Sequence, residues 1–385
     1  MRVSIVTETY PPEINGVALT VHGFAHGLSA RGHAVQLVRP RQRISAPEPW
    51  ADTLEVKGIA LPRYPGLRFG LPAGSRLRRA WTESRPDVVY IATEGPLGAS
   101  ALDVAHRFQI PACTGFHTRF DEYVAHYGLG FLAPAVRGRL RRFHRRAAAT
   151  LVPTRGLVDE LRALGIDNVR LLRRAVDTAL FRPAARDPVL RAKWGAYEHG
   201  LIVLYVGRIA SEKNLDLAIR AFRTLQIRVP TARCIWVGDG PEREALEAAN
   251  PDFIFVGTKQ GEALARCYAS ADLFLFPSLT ETFGNVTLEA MASGLAVVAY
   301  DRGAAHEHIT DGINGMRVPA GDAAGFITAA FAIATDPALR DMIRTKARCA
   351  VATLSPDTVI VEFEALLANL AVEGRHGHHA IAASA

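Results

Sequence analysis

Residues 277–294 read PSLTETFGNVTLEAMASG. Directly before them, residues 272–276 form an apolar run that is typical of a buried parallel strand, and Pro277 ends it. Residues 288–292 have the composition of a helix that ends near Gly294. The segment from Glu281 to Asn285 is therefore predicted to be a strand-to-helix loop at the carboxyl edge of a sheet, where open α/β folds bind ligands.

The groups on this loop suit a sugar phosphate. Glu281 can accept hydrogen bonds from hydroxyl groups, and Glu289, about two helical turns further on, can face the same cleft. A helix N-terminus favours an anion, and the candidate amides here are those of Phe283, Gly284, Asn285 and Val286. Taken alone, two glutamates at this spacing are more often solvated surface residues.

Length and composition predict a two-domain protein. The chain has 385 residues, of which 49% are hydrophobic, and this is too long for one core of ordinary size. Its four cysteines are far apart and form no Cys-x-x-Cys, so neither a disulfide framework nor a zinc site is indicated. The first residues lack a signal peptide's apolar region, and no uncharged run approaches the roughly 20 apolar residues of a spanning helix. We therefore expect a cytoplasmic protein.

The net charge of +7 is unevenly distributed. Residues 1–183 carry the excess of Lys and Arg, and the remainder is net acidic. A basic first half implies an anionic partner, which could be nucleic acid, an anionic membrane surface or an acidic substrate.

Strands and helices alternate in two series, as in doubly wound parallel sheets. The first series has predicted strands at residues 3–7, 35–38, 88–91, 111–116 and 150–153. The second has them at residues 201–207, 234–238, 253–256, 273–276 and 296–299. Residues 177–188, rich in Ala, Arg and Pro, form a linker. The expected domains are 1–177 and 178–355, with a helix over 356–370 that returns to the first domain and a frayed tail over 371–385.

Two loops of the first series carry candidate groups. Gly16, after Asn15, permits a close backbone approach, so amides at the following helix start could reach a diphosphate, although it could equally be a plain glycine in a loop. His117 directly follows a predicted strand and should lie at the carboxyl rim of the sheet, although a lone histidine is more often structural. Asp121 and Tyr123, close behind it, are weaker candidates for substrate contacts.

The loop after residue 206 supplies two cations, Arg208 and Lys213. They can neutralise a diphosphate leaving group, and the alternative is an ordinary charged loop. The chain contains no Asp-x-Asp, the usual magnesium site of metal-dependent sugar transferases, so fixed cations are expected to substitute for a metal cofactor. It also contains no Gly-x-Gly-x-x-Gly, and a nicotinamide or flavin enzyme is not supported.

A basic amphipathic helix is predicted around residues 136–147. Its apolar stripe is Val136, Leu140, Phe143 and Ala147, and it is interleaved with six arginines between Arg137 and Arg146. The helix could bind anionic lipid, or it could pack on the sheet with a solvated basic face. Nucleic acid is disfavoured because few aromatic residues are interleaved for base stacking.

These motifs resemble the family 4 retaining glycosyltransferases. The resemblance rests on Glu-x7-Glu at Glu281 and Glu289, on Gly-Arg-x5-Asn from Gly207, and on the opening Glu-x-Tyr-Pro-Pro-x-x-Asn-Gly-Val from Glu8. It covers the chain from Met1 to about Leu370. Within the family, the chain looks most like GDP-mannose-dependent α-mannosyltransferases and sulfoquinovosyl-diacylglycerol synthases. It departs at Asn15 and Ala175, where members have glycine.

The resemblance implies an α/β protein of GT-B fold, with two Rossmann-like domains that face each other across a cleft. In this fold, residues 1–177 would form the acceptor-side domain and residues 178–355 the domain that binds the nucleotide sugar. It implies a retaining, metal-independent hexosyltransferase that uses a nucleoside diphosphate sugar. In this scheme Arg208, Lys213 and the Gly16 amide stabilise the leaving diphosphate, and Glu281 orients the donor sugar. The remaining assignments are Glu289 for the ribose, His117 for the sugar and acceptor, and Gly238, Thr258 and Lys259 for the surroundings of the base.

The sequence leaves alternatives open for the donor, the acceptor and the class of protein. The preferred donor is GDP-mannose, and a UDP-sugar for a glucosyl or sulfoquinovosyl transferase is the alternative. The preferred acceptor is a lipid-linked hydroxyl, as in glycolipid biosynthesis, reached by a peripheral protein on the cytoplasmic face of the membrane. Two rival classes are a sugar-nucleotide 2-epimerase of the same architecture and a non-catalytic nucleotide-sugar-binding protein. No nucleic-acid partner is expected.

Overall fold

The structure, a computed structural model, describes residues 1–13, 15–42, 48–60, 68–119, 130–196 and 200–382. The chain divides into two units. The first comprises Met1–Arg173 together with Pro356–Ala385, and the second is the continuous stretch Arg174–Ser355.

The first unit is built on a parallel sheet of seven strands. Its strands are β1 (Arg2–Val6), β2 (Ala34–Pro40), β3 (Asp52–Val56), β6 (Val88–Ile91), β7 (Ala112–Gly115), β8 (Ala149–Val152) and β9 (Val169–Leu171), in the spatial order β3-β2-β1-β6-β7-β8-β9. A separate antiparallel pair joins β4 (Gly58–Ala60) to β5 (Arg68–Gly70). The central strands are apolar and buried along their length because helices cover both faces of such a sheet.

Among its described residues, this unit has six helices. They are α1 (Gly16–Ala30), α2 (Gly74–Glu83), α3 (Pro96–Arg107), α4 (Ala133–Arg145), α5 (Arg155–Ala163) and the C-terminal helix (Pro356–Ala382). The C-terminal helix packs on α1, where Phe24 and Phe363 stack with ring centroids 4.4 Å apart. It also continues through residues 371–382, which the sequence pattern assigns to a frayed tail.

The second unit contains a parallel sheet of six strands. They are β10 (Ile202–Val206), β11 (Arg233–Val237), β12 (Ile254–Gly257), β13 (Leu273–Phe276), β14 (Ala296–Tyr300) and β15 (Met316–Val318), in the order β12-β11-β10-β13-β14-β15. Its helices are α6 (Pro188–Lys193), α7 (Leu215–Arg228), α8 (Arg243–Ala249), α9 (Gly261–Ala269), α10 (Asn285–Ala292), α11 (Gly303–His308), α12 (Ala323–Thr335) and α13 (Pro337–Val351).

Each sheet has a point where the strand order reverses. In the second unit β10 pairs directly with β13, so the loops that follow these two strands lie side by side. In the first unit the reversal lies between β1 and β6, where Ile5 pairs with Tyr90. Crevices for ligands form at the carboxyl ends of strands at such points.

The predicted fold class of two doubly wound parallel sheets is confirmed. The strands absent from the prediction include β3, β9 and β15, each at the edge of its sheet. β9 and β15 have three residues each, and β3 is only partly buried, so these strands lack the continuous apolar run that identifies a central strand.

Candidate active site

The neighbouring loops after β10 and β13 bring two predicted site residues into contact. Lys213 Nζ donates a hydrogen bond to Glu281 Oε1, and Ser278 Oγ donates to the same oxygen at 2.8 Å. Both members of the ion pair are mostly buried. A cation and a hydrogen-bond acceptor are therefore fixed together at the switch point of the second sheet.

The conformation of the β10 loop holds Lys213 in place. Residues 211–213 form a short 3₁₀ turn, and Asn214 follows in the left-handed region at φ 53°. The Lys213 ammonium also lies over the Phe276 ring, 5.8 Å from its centroid, a position that favours a cation.

Arg208, the second predicted cation, lies on the same loop. Its Nη1 is 3.5 Å from Glu212 Oε1, and the Glu212 side chain is buried. The Tyr205 hydroxyl donates to the Arg208 carbonyl at 2.8 Å. Glu212 was not among the predicted site residues, although its position four residues after an arginine is a signal for this pair.

The loop between β13 and α10 has the predicted strand-to-helix form, and α10 begins at Asn285. Gly284 precedes it with φ +85°, and a Cβ there would lie 3.3 Å from Glu281 Oε2. The Phe283 carbonyl accepts from the Ala304 amide at 2.6 Å, so α11 braces this loop. Asn285 and Val286 supply first-turn amides, which at a helix N-terminus favour an anion.

Glu289 lies on α10 one turn beyond its start. The Tyr268 hydroxyl donates to Glu289 Oε2 at 2.9 Å. Burial raises the pKa of Glu289 to about 7, and the hydrogen bond from Tyr268 offsets part of that rise. Glu289 therefore changes charge near neutral pH. Tyr268, fully buried on α9, was missed because a tyrosine within a helical pattern reads as an ordinary core residue.

The residues expected near a nucleotide base lie on the other side of β10. Gly238 directly follows β11 and packs against the backbone of Gly207. A Cβ at residue 238 would lie 1.9 Å from the Gly207 carbonyl oxygen. Thr258 and Lys259 follow β12 and are exposed. Because β12 lies three positions from β13, they are separated from Glu281 by roughly 14 Å of sheet.

In the first unit, Asn15 caps the helix that begins at Gly16. Asn15 Oδ1 accepts from the Ala18 amide at 2.8 Å, and Asn15 Nδ2 donates to Thr9 Oγ1 at 2.7 Å. Asparagine is a preferred N-cap residue, which gives a structural reason for a side chain at a position where glycine was expected. Gly16 is exposed at the helix start.

His117 lies two residues beyond β7 and is half-buried. Its Nε2 is 2.7 Å from the Tyr90 hydroxyl, which projects from the neighbouring strand β6. The predicted acceptor contacts Asp121 and Tyr123 lie outside the described residues.

Buried acids that were not predicted lie at the ends of β1 and β6. Glu8 Oε1 accepts from the Leu97 amide at 2.9 Å, and burial raises the pKa of Glu8 to about 7. Glu94 is also buried, with Oε1 3.6 Å from Nε2 of the fully buried His144. An acid just after a buried strand, as at Glu8, is the signal that could have identified this group.

The predicted basic helix corresponds to α4, and its apolar stripe faces the protein. Leu140, Phe143 and Ala147 are buried, whereas the arginines are exposed. Phe131 and Leu132, just before the helix, are exposed at 76% and 39%. Core packing therefore occupies the stripe that a membrane helix would insert, and the surface offers arginines beside two apolar side chains.

No helix within the described ranges has both the length and the apolar content needed to cross a membrane. Those ranges likewise contain no cluster of three or more His, Cys, Asp or Glu side chains suited to a metal ion.

Two family models match the chain. The model described as Glycosyltransferase Family 4 matches residues 14–180, and the one described as Glycosyl transferases group 1 matches residues 200–336. The first match lies mostly in the first unit and extends a few residues past Arg173, the second lies within the second unit, and together they span most of both sheets.

Three curated relatives match over most of their lengths. A GDP-mannose-dependent alpha-mannosyltransferase of Mycobacterium tuberculosis is 33% identical over 84% of this chain and 85% of its own. Sulfoquinovosyl transferase SQD2 of Arabidopsis thaliana is 29% identical over 90% of this chain and 69% of its own. An alpha-monoglucosyldiacylglycerol synthase of Acholeplasma laidlawii is 28% identical over 82% and 84%.

The fold also matches solved structures. Sucrose-phosphate synthase from Thermosynechococcus elongatus superposes with a TM-score of 0.79 at 19% identity, covering 96% of this chain and 98% of that one. The GT-B fold expected from the sequence is thereby confirmed.

Proposed function

The chain belongs to the family 4 glycosyltransferases, and from that premise we propose that it transfers mannose from GDP-mannose to a hydroxyl acceptor with retention of configuration. The observation that carries the transfer chemistry is the contact between Lys213 and Glu281 beside the N-terminus of α10. The mannosyltransferase relative supports the choice of donor.

In the proposed reaction, the bond between the anomeric carbon of the sugar and the diphosphate oxygen breaks. Lys213, Arg208 and the amides of Asn285 and Val286 stabilise the negative charge that develops on the leaving diphosphate. That diphosphate accepts the acceptor proton on the face of attack, so the new bond forms with retained configuration and no carboxylate nucleophile is needed. The Gly16 amide is proposed to add to the same charge stabilisation.

The two glutamates have separate roles in this proposal. Glu281 accepts hydrogen bonds from the donor sugar, and its pairing with Lys213 and Ser278 fixes its orientation. Glu289, held by Tyr268, accepts from the ribose hydroxyls. His117 is proposed to contact the sugar and the acceptor, while Gly238, Thr258 and Lys259 surround the base.

We propose that fixed cations replace a metal ion in this enzyme. Arg208 and Lys213 lie on one loop, where Glu212 and Glu281 orient them, and we propose that they contact the diphosphate where magnesium would otherwise bind. Turnover in EDTA equal to turnover in added magnesium is the expected result, and recovery of activity only with magnesium would contradict it.

The test of the reaction uses GDP-mannose with diacylglycerol in anionic vesicles as acceptor. GDP release that depends on added acceptor, together with an α-linked product by NMR, is the expected result. Conversion of the sugar to its 2-epimer without any acceptor would favour the 2-epimerase alternative. Binding of GDP-mannose with neither transfer nor slow hydrolysis would favour a non-catalytic binding protein.

The proposed acceptor is a lipid-linked hydroxyl at an anionic membrane surface. The arginines of α4 are exposed beside Phe131 and Leu132. One of the relatives is named an alpha-monoglucosyldiacylglycerol synthase. Basic residues near anionic lipid contribute on the order of 1 kcal/mol each. Because the apolar stripe of α4 is buried, binding should depend on charge and on shallow contacts of these two side chains.

Vesicle co-sedimentation tests this surface. Binding should require anionic lipid, fall as salt rises, and weaken when Arg141, Arg142, Arg145 and Arg146 become glutamine. The matched control removes four exposed charges from the second unit, at Arg182, Lys193, Arg228 and Lys346. Equal loss of binding in both variants, or full activity on a water-soluble acceptor alone, would contradict the membrane proposal and leave the transferase proposal intact.

A further inference from the structure

Tyr90 contacts His117 from the core of the first sheet. Tyr90 lies on β6, is fully buried, and pairs in register with Ile5 of β1 and Cys113 of β7. Its hydroxyl is 2.7 Å from His117 Nε2, and the two rings are nearly perpendicular at 87°. A buried phenol therefore reaches the histidine from the interior of the domain.

Gly115 makes this contact possible. A Cβ at residue 115 would lie 2.4 Å from the Tyr90 hydroxyl oxygen and 2.5 Å from His117 Nε2. The Nε2–Cδ2 edge of His117 thus folds back over the backbone of β7. Nδ1 is the ring nitrogen on the opposite edge of the imidazole.

Two phenylalanines fix the Tyr90 ring. Phe363 of the C-terminal helix meets it edge to face, with ring centroids 5.0 Å apart, and Phe24 of α1 does so at 6.1 Å. Phe24 and Phe363 also stack on each other. Such aromatic contacts have preferred geometries, so the position of the hydroxyl follows from how the C-terminal helix packs.

We propose that Tyr90 is a positioning residue for His117. Its hydroxyl donates to Nε2, which places the proton of the neutral imidazole on Nδ1 and fixes the ring orientation, and Phe363 holds Tyr90 in place. The hydrogen bond made by one ring nitrogen sets which nitrogen carries the proton. This inference rests on the proposed role of His117, since a phenol that orients an idle histidine would have no effect on transfer.

The decisive variant is Tyr90→Phe, which keeps the ring and removes the hydroxyl. We expect kcat to fall roughly tenfold with the KM for GDP-mannose within about twofold, as one hydrogen bond to a catalytic group is lost. Thr150→Val is the control, because it removes another fully buried hydroxyl from the same sheet. Its kcat should stay near that of the wild type, and an equal loss in both variants would overturn the proposal.

A spectroscopic measurement on the free protein separates this inference from the proposed function. In ¹⁵N-histidine spectra, assigned with His117→Ala, wild-type His117 should show an unprotonated Nε2, and Tyr90→Phe should shift it toward the Nε2–H tautomer. Unchanged His117 signals would overturn the inference even if the enzyme transfers mannose. Failure of the wild type to transfer any sugar would instead remove the proposed function, and these spectra would still report the contact.

The contribution of Phe363 has its own pair of variants. Phe363→Leu removes the ring that faces Tyr90, and we expect kcat to fall about threefold with altered His117 signals. Leu367→Ala truncates a fully buried aliphatic side chain on the same helix, and should lower stability without changing those signals. Equal effects of the two variants on kcat and on the His117 spectrum would show that Phe363 acts only through stability.

Discussion

The contact between Lys213 and Glu281 places a cation against a hydrogen-bond acceptor at the proposed site. Lys213→Ala should lower kcat by about 10²- to 10³-fold, since loss of one charge-stabilising group costs roughly 2.7 to 4 kcal/mol of barrier. Glu281→Ala should lower turnover through the sugar contacts. Steady-state kinetics measure both. Lys346→Ala, an exposed lysine of the same unit, is the matched control, and near-normal turnover in both site variants would refute the site.

The ionisation of Glu289 should make nucleotide binding depend on pH. With a pKa of about 7, it is largely neutral at pH 6 and largely ionised at pH 8. In the proposed contact with the ribose, the ionised carboxylate is the form that would accept hydrogen bonds from both hydroxyls, so GDP affinity should rise about tenfold between these pH values. Calorimetry at each pH measures the change.

Two variants isolate the contribution of this carboxylate. Ionisation of the GDP phosphate also changes the GDP affinity over this pH range. Glu289→Gln should abolish the part of the affinity increase that phosphate ionisation does not explain. Tyr268→Phe removes a hydrogen bond that favours the ionised form, so the midpoint should move to higher pH. Identical pH dependence in the wild type and Glu289→Gln would mean that Glu289 does not face the ribose.

At the scale of elements, helix α3 begins beside the buried carboxylate of Glu8, which destabilises the folded protein at high pH. The folded pKa of Glu8 is raised from 4.5 to about 7, so between these values the unfolded chain loses its proton first. The free energy of unfolding should therefore decrease as pH rises through this window, by up to about 3 kcal/mol. Below pH 4.5 the contribution is fully present.

Glu8→Gln tests this by urea unfolding at several pH values. The amide oxygen can still accept from the Leu97 amide, whereas the titration is removed, so the variant should be more stable than the wild type above pH 7 and similar at pH 4.5. Glu83→Gln, an exposed acid on α2, should leave the pH dependence unchanged. A wild-type stability that does not differ in pH dependence from Glu8→Gln would show that Glu8 is not titrating in this range.

Elements differ in how far their sequence predicts them. The central strands were predictable because burial on both faces leaves an uninterrupted apolar run, as in β13. The edge strand β15 has three residues, of which only Val318 is buried, so its pattern is indistinct. The stripe of α4 was visible, but period alone does not say whether it meets lipid or protein, and the structure places Phe143 in the core.

The residues of the candidate site also differ in how far the sequence predicts them. Lys213 and Glu281 could be predicted because each occupies a strand-to-helix loop in a recognisable motif. Their mutual contact could not, since it depends on the pairing of β10 with β13 across about 70 residues of chain. Tyr90 and Tyr268 were missed because a buried tyrosine has the same sequence signal whether or not its hydroxyl holds a functional group.

At the scale of the whole molecule, a preference for GDP over UDP should be measurable as a larger increase in thermal stability with GDP. GDP at 100 times its dissociation constant adds about 2.7 kcal/mol to the free energy of unfolding of the unit that binds it. For a unit of this size, the melting temperature should rise by roughly 5 to 10 °C. Differential scanning fluorimetry with GDP and UDP measures the difference. A larger rise with UDP would reverse the donor assignment in favour of a UDP-sugar.

The first unit contains both ends of the chain, whereas the second is continuous. During translation, residues 174–355 can finish folding before the helix that supplies Phe363 has left the ribosome. Until then, Phe24 and Tyr90 lack the Phe363 ring that packs on both of them, and hydrophobic surface of the nascent first unit is left exposed to chaperones. The unit that contains His117 is therefore completed last, so a chain that terminates before residue 356 would retain the second unit and lack a fully packed first unit.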